Sequence, residues 1–437
     1  MTNTICSRCG IAVRTGHRAH RVARQRAVAL GLSAAALLCV PLHEAVAAQA
    51  TWSPEAVVAV PSPNGSIYAR TAVNANGAAA LVWDERVDDY TSDVYAAVNS
   101  GGTWTAPLRL TASPTAYNSP SGVVVAPDGK VTAYWSEGET PYYRIHANGA
   151  WSPAAVIPAD SGYGQVAGAG VDSNGDVQLL LAATRVNGSY RSYDAEVLVL
   201  DRLGNWTAPT VLTKTPGGFP RLLVNSHGQG MVVAGYLAWR SAGPGAWNTT
   251  PKAIPSKAGQ TYATDAALDA AGNGYFVLYN RYGGMNISTS TPTSNWTALR
   301  HLAKFDPLGS SLAITGGGAG GAMLYGVDYM TGKLRASTTA TAGKSWGSLY
   351  TFDVVNTQAD AAGGESGLYA IAWDGKVTAG TGIGVKTVAW NTQSLSPNPY
   401  VGSVAVAADR AVAGWVRGSD PSLVEMVIGA STGVLAP

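Results

Sequence analysis

Short segments in which apolar and polar residues alternate follow one another along most of this chain. In the first complete unit, residues 67–73 alternate, and we predict that residues 78–83, 93–98 and 103–110 form the strands that follow. Alternation with a period of two is the pattern of a strand with one buried face. The first two segments are joined by Asn74-Ala75-Asn76-Gly77, where glycine supplies the positive φ of a tight hairpin. This unit therefore predicts four antiparallel strands.

The turn between the first and second strands recurs and predicts the number of units. Its further copies are 127–129, 172–175, 225–228, 269–272, 316–321, 373–375 and 408–410. Eight tryptophans also recur, with gaps of 41 to 55 residues, at Trp52, Trp104, Trp151, Trp206, Trp247, Trp296, Trp346 and Trp390. Four strands in each repeat of this length are typical of a β-propeller blade.

We therefore predict an all-β propeller of eight four-stranded antiparallel blades. The alternative is seven blades, if one of the two short units, 206–247 or 346–390, is not a blade. The chain ends on a strand-like segment, 423–428, that lacks a tryptophan-headed partner, and Trp52 heads an unpaired strand near the other end. We expect the N-terminal strand to complete the last blade and close the ring, since an open sheet edge is a liability. The tryptophans are expected to pack against a neighbouring blade rather than on sugars.

The first 47 residues have the composition of a secretory signal peptide. Six arginines precede an apolar run from Ala27 to Leu42, and Ala45-Val46-Ala47 forms a small-x-small cleavage pattern. We expect residues 1–47 to be removed and residues 48–437 to form a single domain. That domain would be secreted, extracellular or associated with the cell envelope, without a transmembrane segment. All three cysteines lie in the leader, so the predicted fold contains no disulfide.

The charge distribution narrows the class of partner. Residues 1–47 hold six of the 29 Lys and Arg residues and one of the 27 acidic residues, so the rest of the chain carries a net charge of −3. It has no basic run, which argues against a nucleic-acid partner and against an anionic membrane surface. We expect a monomer without a metal site, because the three histidines after the leader fall in three different repeats.

One local phrase resembles the Asp-box of the sialidase-like propellers. In Asn99-Ser100-Gly101-Gly102-Thr103-Trp104, Asn99 stands at the Asp position of that motif. Partial copies precede Trp206, with Asp201 at the Asp position, and Trp346, with Thr341 there. The repeats are also similar to secreted propellers of high-GC actinobacteria. The resemblance implies a propeller fold in every repeat.

The same resemblance implies a test for sialidase chemistry. That chemistry uses three arginines on a carboxylate, an acid/base Asp and a Tyr–Glu pair. The family's first-strand arginine is nearest to Arg70, which lies one place too late, and a shift of one residue turns a strand side chain to the opposite face. The resemblance places a rim arginine and an acid/base Asp near Arg86, Asp88 and Asp89; the alternative is a solvated loop with local ion pairs.

Two other groups of residues are candidates for binding. Five arginines follow predicted second strands, where one rim could present them to an anionic ligand: Arg86, Arg185, Arg240, Arg281 and Arg417. Alternatively, each pairs with a neighbouring acid or carbonyl. The acidic residues Asp84, Asp88, Asp89 and Asp93 could hold calcium, although they lack the EF-hand pattern.

Taken together, the residues favour a non-enzymatic protein that binds a carbohydrate or another cell-surface ligand on one propeller face. The alternatives are a sialidase-like glycoside hydrolase and an extracellular scaffold for protein partners. Fold alone does not decide between them. Three arginines and a Tyr–Glu pair at one end of the axis would favour the hydrolase, whereas a funnel of Ala, Gly and Thr would count against it.

Overall fold

The computed structural model describes most of the chain after the predicted leader, which lies outside the described residues. The described ranges are 49–60, 66–88, 90–112, 115–116, 121–159, 164–187, 190–216, 220–256, 261–280, 284–355, 359–381, 390–395, 399–420 and 423–436.

Eight antiparallel sheets follow one another along the chain, and each is one blade with its first strand innermost. The strands of blades 1 to 4 are, in blade 1, β3 (Ser66–Val73), β4 (Ala79–Arg86), β5 (Thr91–Ser100), β6 (Thr103–Trp104), β7 (Leu108–Arg109) and β8 (Thr115–Ala116); in blade 2, β9 (Gly122–Val125), β10 (Val131–Glu137), β11 (Thr140–Ala147), β12 (Ala150–Trp151) and β13 (Ala155–Val156); in blade 3, β14 (Gln165–Val171), β15 (Val177–Asn187), β16 (Tyr190–Leu200) and β17 (Thr210–Pro216); and in blade 4, β18 (Arg221–Val224), β19 (Gly230–Ala234), β20 (Leu237–Ser241) and β21 (Lys252–Ala253).

The strands of blades 5 to 8 are, in blade 5, β22 (Thr261–Leu268), β23 (Gly274–Asn280), β24 (Gly284–Ser290) and β25 (Arg300–His301); in blade 6, β26 (Ala313–Gly316), β27 (Ala322–Val327), β28 (Lys333–Thr339) and β29 (Tyr350–Val354); in blade 7, β30 (Asp360–Gly363), β31 (Leu368–Trp373), β32 (Lys376–Thr381) and β33 (Trp390–Ser394); and in blade 8, β34 (Pro399–Ala407), β35 (Arg410–Asp420) and β36 (Leu423–Ala436), joined by β1 (Gln49–Trp52) and β2 (Ala56–Ala59) from the other end of the chain.

The innermost strands form a closed ring, which confirms the prediction of an eight-bladed propeller. Each contacts the innermost strand of the next blade, from β3 to β9 and onward until β34 contacts β3 again. The ring is closed as predicted, because β1 pairs with β36 from Gln49↔Ala436 to Trp52↔Gly433. A polar contact supports the closure: the Trp415 indole Nε1 donates to Glu55 Oε1 at 2.9 Å.

The apolar cores lie between blades, which explains the composition of the second strands. In β4, every residue from Ala79 to Trp83 is at most 1% exposed, because both faces of the blade are covered by neighbours. Continuous apolar runs therefore replace alternation in these strands. Each repeated tryptophan packs on the preceding blade, as Trp247 does against Leu180 and Val197 of blade 3. The structural role predicted for the tryptophans is confirmed.

The Asp-box-like phrases form the turns between third and fourth strands. In blade 1, the Gly102 amide donates to Asn99 Oδ1 at 3.0 Å. In blade 3, Asp201 Oδ1 accepts from the amides of Leu203 at 2.9 Å and Asn205 at 2.8 Å. In blade 6, Thr341 Oγ1 accepts from the Ser345 amide at 2.9 Å. One side-chain oxygen thus holds each turn, whichever residue supplies it.

One predicted turn is wrong. Residues 373–375 join the second and third strands of blade 7, and the first hairpin of that blade lies at residues 364–367. The inner strand of this blade, Asp360–Gly363, has only four residues and shows no alternation, so the sequence pattern missed it.

The described residues contain one helix, a 3-10 helix at Ala303–Ser311 between blades 5 and 6. Phe305 and Leu308 on this helix are buried in the core that blades 5 and 6 share. No helix in the described part of the chain is long and apolar enough to cross a membrane.

Antiparallel pairing gives the propeller two different ends. The turns between first and second strands and between third and fourth strands lie at one end, which we call the hairpin end. The loops between second and third strands, and the connections from blade to blade, lie at the other, which we call the loop end.

Candidate functional site

The first hairpins of all eight blades surround one cavity at the hairpin end of the axis. Its volume is about 490 Å³. Its wall is apolar where the inner strands end, at Val73, Val125, Val171, Val224, Leu268 and Val406. Its polar groups come from the turns themselves, at Asn74, Asn76, Asp172, Ser173, Asn225, Ser226, Glu365 and Ser366. A concave apolar wall with a few convergent polar groups is the usual form of a small-molecule site.

The first residue of several turns holds the turn and the next blade in place. Asn225 Oδ1 accepts from the amides of His227 at 3.1 Å and Gln229 at 3.0 Å. Its Nδ2 donates to the carbonyl of Asp269, in blade 5, at 3.1 Å. Such Asx turns explain why Asn recurs before Gly in these hairpins. Gly228, with φ 73°, takes the backbone conformation that glycine tolerates best.

The same construction recurs in blade 1. Asn74 Oδ1 accepts from the amides of Asn76 and Ala78, both at 3.0 Å, and its Nδ2 donates to the Ala126 carbonyl at 2.8 Å. Asn74 and Asn225 are buried, so their amides serve the ring rather than a ligand. The cavity's exposed side chains therefore come from the later turn positions, such as Ser173 and Glu365.

Two turns approach each other across the mouth of the cavity. His227 Nδ1 of blade 4 lies 4.0 Å from Glu365 Oε1 of blade 7, and both side chains are about half exposed. At that distance the pair is a loose contact that a ligand can separate, since surface ion pairs are worth at most about 1 kcal/mol.

At the loop end, Arg86 and Asp88 are engaged in their own turn. Arg86 Nε donates to the Asp88 carbonyl at 3.0 Å. The Asp88 carboxylate accepts from the amides of Tyr90 at 2.8 Å and Thr91 at 2.7 Å. These bonds, with the Tyr90 amide first, lower the pKa of Asp88. A carboxyl with a lowered pKa stays ionised at neutral pH and makes a poor general acid. Asp89 lies outside the described residues.

Asp84, Asp88 and Asp93, the described residues of the proposed calcium site, have separate partners. Asp84 is buried and accepts from Ser121 Oγ at 2.9 Å, and burial raises its pKa to about 6. Asp93 accepts from Thr111 Oγ1 and pairs with Arg109 Nη2 at 2.8 Å. Within the described ranges no three His, Cys, Asp or Glu residues form a metal-binding group. Each of the three described carboxylates thus has partners of its own.

The five predicted arginines do not share one rim. Arg240 lies on β20, the third strand of blade 4, so the prediction that it follows a second strand is wrong. The reason is the tight turn at Gly235 and Tyr236, which leaves no polar loop between β19 and β20 to mark the boundary. Arg240 consequently lies near the hairpin end, opposite Arg86.

Arg240 is held by its neighbours in blade 5. Its Nη1 donates to the Gly272 carbonyl at 2.6 Å and its Nη2 to Ser290 Oγ at 2.5 Å. Its guanidinium also lies 5.8 Å from the Trp296 ring centre. Arg185 and Arg417 lie on second strands, but their side chains are outside the described set, and Arg281 is wholly outside it. The alternative expectation, an arginine paired with a carbonyl, holds for Arg86 and Arg240.

Charged residues on the inner strands were missed by the sequence analysis. Asp265 Oδ2 accepts from the Ile314 amide at 2.8 Å, and Asp360 Oδ2 accepts from the Val404 amide at 2.9 Å. Each bond joins the inner strand of one blade to that of the next. Arg221 forms an ion pair with Asp265 and keeps 53% of its side chain exposed. Desolvation nevertheless lowers its pKa, as expected for a cation inside a channel. The signal in the sequence that could have indicated these residues was a single charged residue in an otherwise apolar first strand.

Comparison with known proteins identifies a fold and no family. No family model matches the chain, and no curated protein sequence matches it. The lectin BP39L from Burkholderia pseudomallei is 13% identical, with a TM-score of 0.52 over 75% of this chain and 99% of the lectin. The sialidase NanB from Streptococcus pneumoniae is 11% identical, with a TM-score of 0.37 over 87% of this chain and 70% of the enzyme.

An α-L-arabinofuranosidase from Fusarium graminearum is 10% identical, with a TM-score of 0.38 over 89% of this chain and 97% of that one. At these identities the similarity concerns the fold alone. The propeller fold that the Asp-box-like phrases imply is confirmed by the eight blades of the structure.

Proposed function

We propose that this protein binds a glycan in the cavity at the hairpin end and does not hydrolyse it. The observation that carries the proposal is the convergence of all eight first hairpins on one cavity of about 490 Å³. That volume falls within the range of roughly 300–1,000 Å³ that small-molecule sites occupy.

The chemistry of the cavity suits a polyhydroxylated ligand. Hydroxyl groups at Ser173 and Ser226 and the carboxylate of Glu365 can exchange hydrogen bonds with sugar hydroxyls, while the valines contact the apolar face of a ring. The turns that carry these groups are fixed by inter-blade bonds such as that from Asn225 to Asp269. A preformed site loses little conformational entropy on binding, which favours recognition.

The lining argues for binding rather than hydrolysis. Glycosidases place two carboxyl groups on either side of the scissile bond, about 5–9.5 Å apart. Among the described residues that line the cavity, Glu365 and Asp172 are the carboxylates. Asp172 is 2% exposed, and its Oδ1 accepts from the amides of Asn174 and Asp176, both at 2.9 Å. One accessible carboxylate cannot supply both the general acid and the second carboxylate, nucleophile or base, that this hydrolysis uses.

The proposal includes secretion, with binding in the extracellular space or the cell envelope. It rests on the leader predicted at residues 1–47. The name of the lectin BP39L is compatible with the proposal, but the cavity carries it, because the similarity to that protein is one of fold.

A glycan-array screen of the secreted protein, run beside a panel of fluorogenic glycosides, tests the function. We expect selective binding to one class of glycan and no turnover. Turnover that is abolished by Asp88→Asn would replace the proposal with the hydrolase. If the protein binds no glycan on the array and hydrolyses no glycoside of the panel, a protein partner would be favoured instead.

A further inference from the structure

A second cavity opens beside the first, at the seam where blade 8 meets blade 1. Its volume is about 260 Å³, room for a single sugar ring. It is lined by both hairpins of blade 1, at Asn76, Gly77, Asn99, Gly101 and Gly102, and by Arg410, Ala411, Thr432, Gly433 and Val434 of blade 8. Asn76 lines the large cavity as well, so the two cavities adjoin. We call the smaller one the seam pocket.

Arg410 brings a positive charge that the protein does not neutralise fully. Its Nε is buried and makes no hydrogen bond; the nearest carboxylate oxygen, Asp409 Oδ1, is 3.5 Å away. Neither Nη atom bonds to a described residue, and the side chain keeps 38% of its surface exposed. A guanidinium with a free edge is the group that best fits a carboxylate or sulfate.

Asn99 adds a second donor to the seam pocket. The residue is only 2% exposed, and its Oδ1 accepts from the Gly102 amide at 3.0 Å. Because Asn99 lines the pocket, its Nδ2 can donate to an acceptor bound there.

Because position 99 holds asparagine where the Asp-box motif has aspartate, the seam pocket lacks a negative charge there. Asp201 holds the corresponding position in blade 3, where its carboxylate accepts from the amides of Leu203 and Asn205, whereas Asn99 accepts from the Gly102 amide. In blade 1 the amide leaves the turn intact and spares the seam pocket a carboxylate beside Arg410. Gly101 and Gly102 keep the pocket open, since nothing lies within 4 Å of where their Cβ atoms would be. Val434, 37% exposed, offers an apolar contact.

We propose that the seam pocket binds an anionic sugar residue, with its acid group on Arg410 and Asn99. This inference rests on the proposed function, because it names the class of glycan that the large cavity would receive beside it. The acid group can be a carboxylate or a sulfate ester, which share this chemistry.

The test is a calorimetric titration with three probes of similar size: an oligogalacturonide, its methyl ester and a sulfated galactose oligomer. We expect the protein to prefer at least one acidic probe to the neutral ester by about tenfold or more. Arg410→Gln should abolish that preference, so that the acidic probe binds no more tightly than the ester. The uronate and the sulfate arms show which acid group the pocket accepts.

Matched variants separate charge from structure. Asn99→Asp keeps the turn oxygen and should also abolish the preference. Arg202→Gln and Asp201→Asn change the same residue types on the same end of blade 3 and should leave it unchanged. The proposal for the seam pocket would be overturned by equal affinity for acid and ester, or by no binding of either acidic probe. A preference that survives Arg410→Gln would overturn it as well. If a glycan from the array still binds in that case, the proposed function stands without it.

Discussion

The two ends of this propeller use their polar residues in opposite ways. At the hairpin end, buried amides such as Asn74 and Asn225 lock neighbouring turns together, and short exposed side chains remain around an open cavity. At the loop end, two candidate carboxylates are already engaged by their neighbours, Asp88 by two turn amides and Asp84 by Ser121. The difference shows that a charged residue near the rim indicates a ligand-binding site less reliably than an open cavity whose lining is held in place by hydrogen bonds.

The largest expected effect is the loss of a turn amide at the hairpin end. Asn225→Ala leaves the amides of His227 and Gln229 and the carbonyl of Asp269 without their partner, and each unsatisfied group costs about 1–3 kcal/mol. We expect a loss of about 2–4 kcal/mol of unfolding free energy in urea denaturation. His227→Ala, an exposed residue of the same turn, is the control and should change stability by less than about 0.5 kcal/mol. Similar losses for both would mean that the amide does not hold the ring.

At the loop end, the burial of Asp84 can be tested through the pH dependence of the free energy of unfolding. Because the folded pKa, about 6, lies above the usual 3.8, the folded state retains a proton that the unfolded chain releases between these values. The contribution of Asp84 to stability should therefore be greatest below pH 3.8 and fall as the pH rises to about 6. Asp84→Asn removes this slope, and at pH 7–8 it should stabilise the protein by about 1–3 kcal/mol.

Thermal unfolding of both proteins between pH 4 and pH 8 measures the slope. A wild-type protein whose stability rises over this range relative to Asp84→Asn would show that the carboxyl is stabilised as an anion in the fold. The Arg70 charge, which lowers the pKa of Asp84, would then outweigh burial.

Asn225 and Asp84 show which parts of the structure the sequence pattern could predict. The repeated turns predicted eight blades, because hairpin chemistry is local and depends on Asn, Asp and Gly. The closing strand was predicted from the unpaired segments at Trp52 and residues 423–428. Pairing between blades is not local: nothing near Asp84 in sequence indicates Ser121, and nothing near Asn225 indicates the Asp269 carbonyl. The cavity could not be predicted, because it is a space between eight turns rather than a property of any of them.

Arg240 at the hairpin end and Arg86 at the loop end allow the same substitution to be compared at the two ends of the propeller. Arg240→Gln removes hydrogen bonds to Gly272 and Ser290, and should cost about 1–3 kcal/mol of unfolding free energy. Arg86→Gln changes an exposed turn, in which Arg86 Nε donates to the Asp88 carbonyl, and should cost no more than about 0.5 kcal/mol. Chemical denaturation of the two variants checks the ranking; a reversed order would show that the loop end depends more on its arginine.

The smallest effect is expected at the carboxyl that resembles an acid catalyst. Asp88→Asn keeps an oxygen for the amides of Tyr90 and Thr91, so the fold and glycan binding should not change measurably. Array binding and glycoside turnover before and after the substitution show this directly. Any activity lost with Asp88 would contradict its assignment to the turn.

The most direct test of the account places one bulky side chain at each end of the propeller. Ser226→Trp fills the cavity at the hairpin end, and Met330→Trp, at a residue 76% exposed on the loop end of blade 6, is its control. Calorimetric titration with the glycan selected on the array should show binding abolished by Ser226→Trp and unchanged by Met330→Trp. Binding that survives Ser226→Trp, or is lost with Met330→Trp alone, would contradict a glycan site among the hairpins.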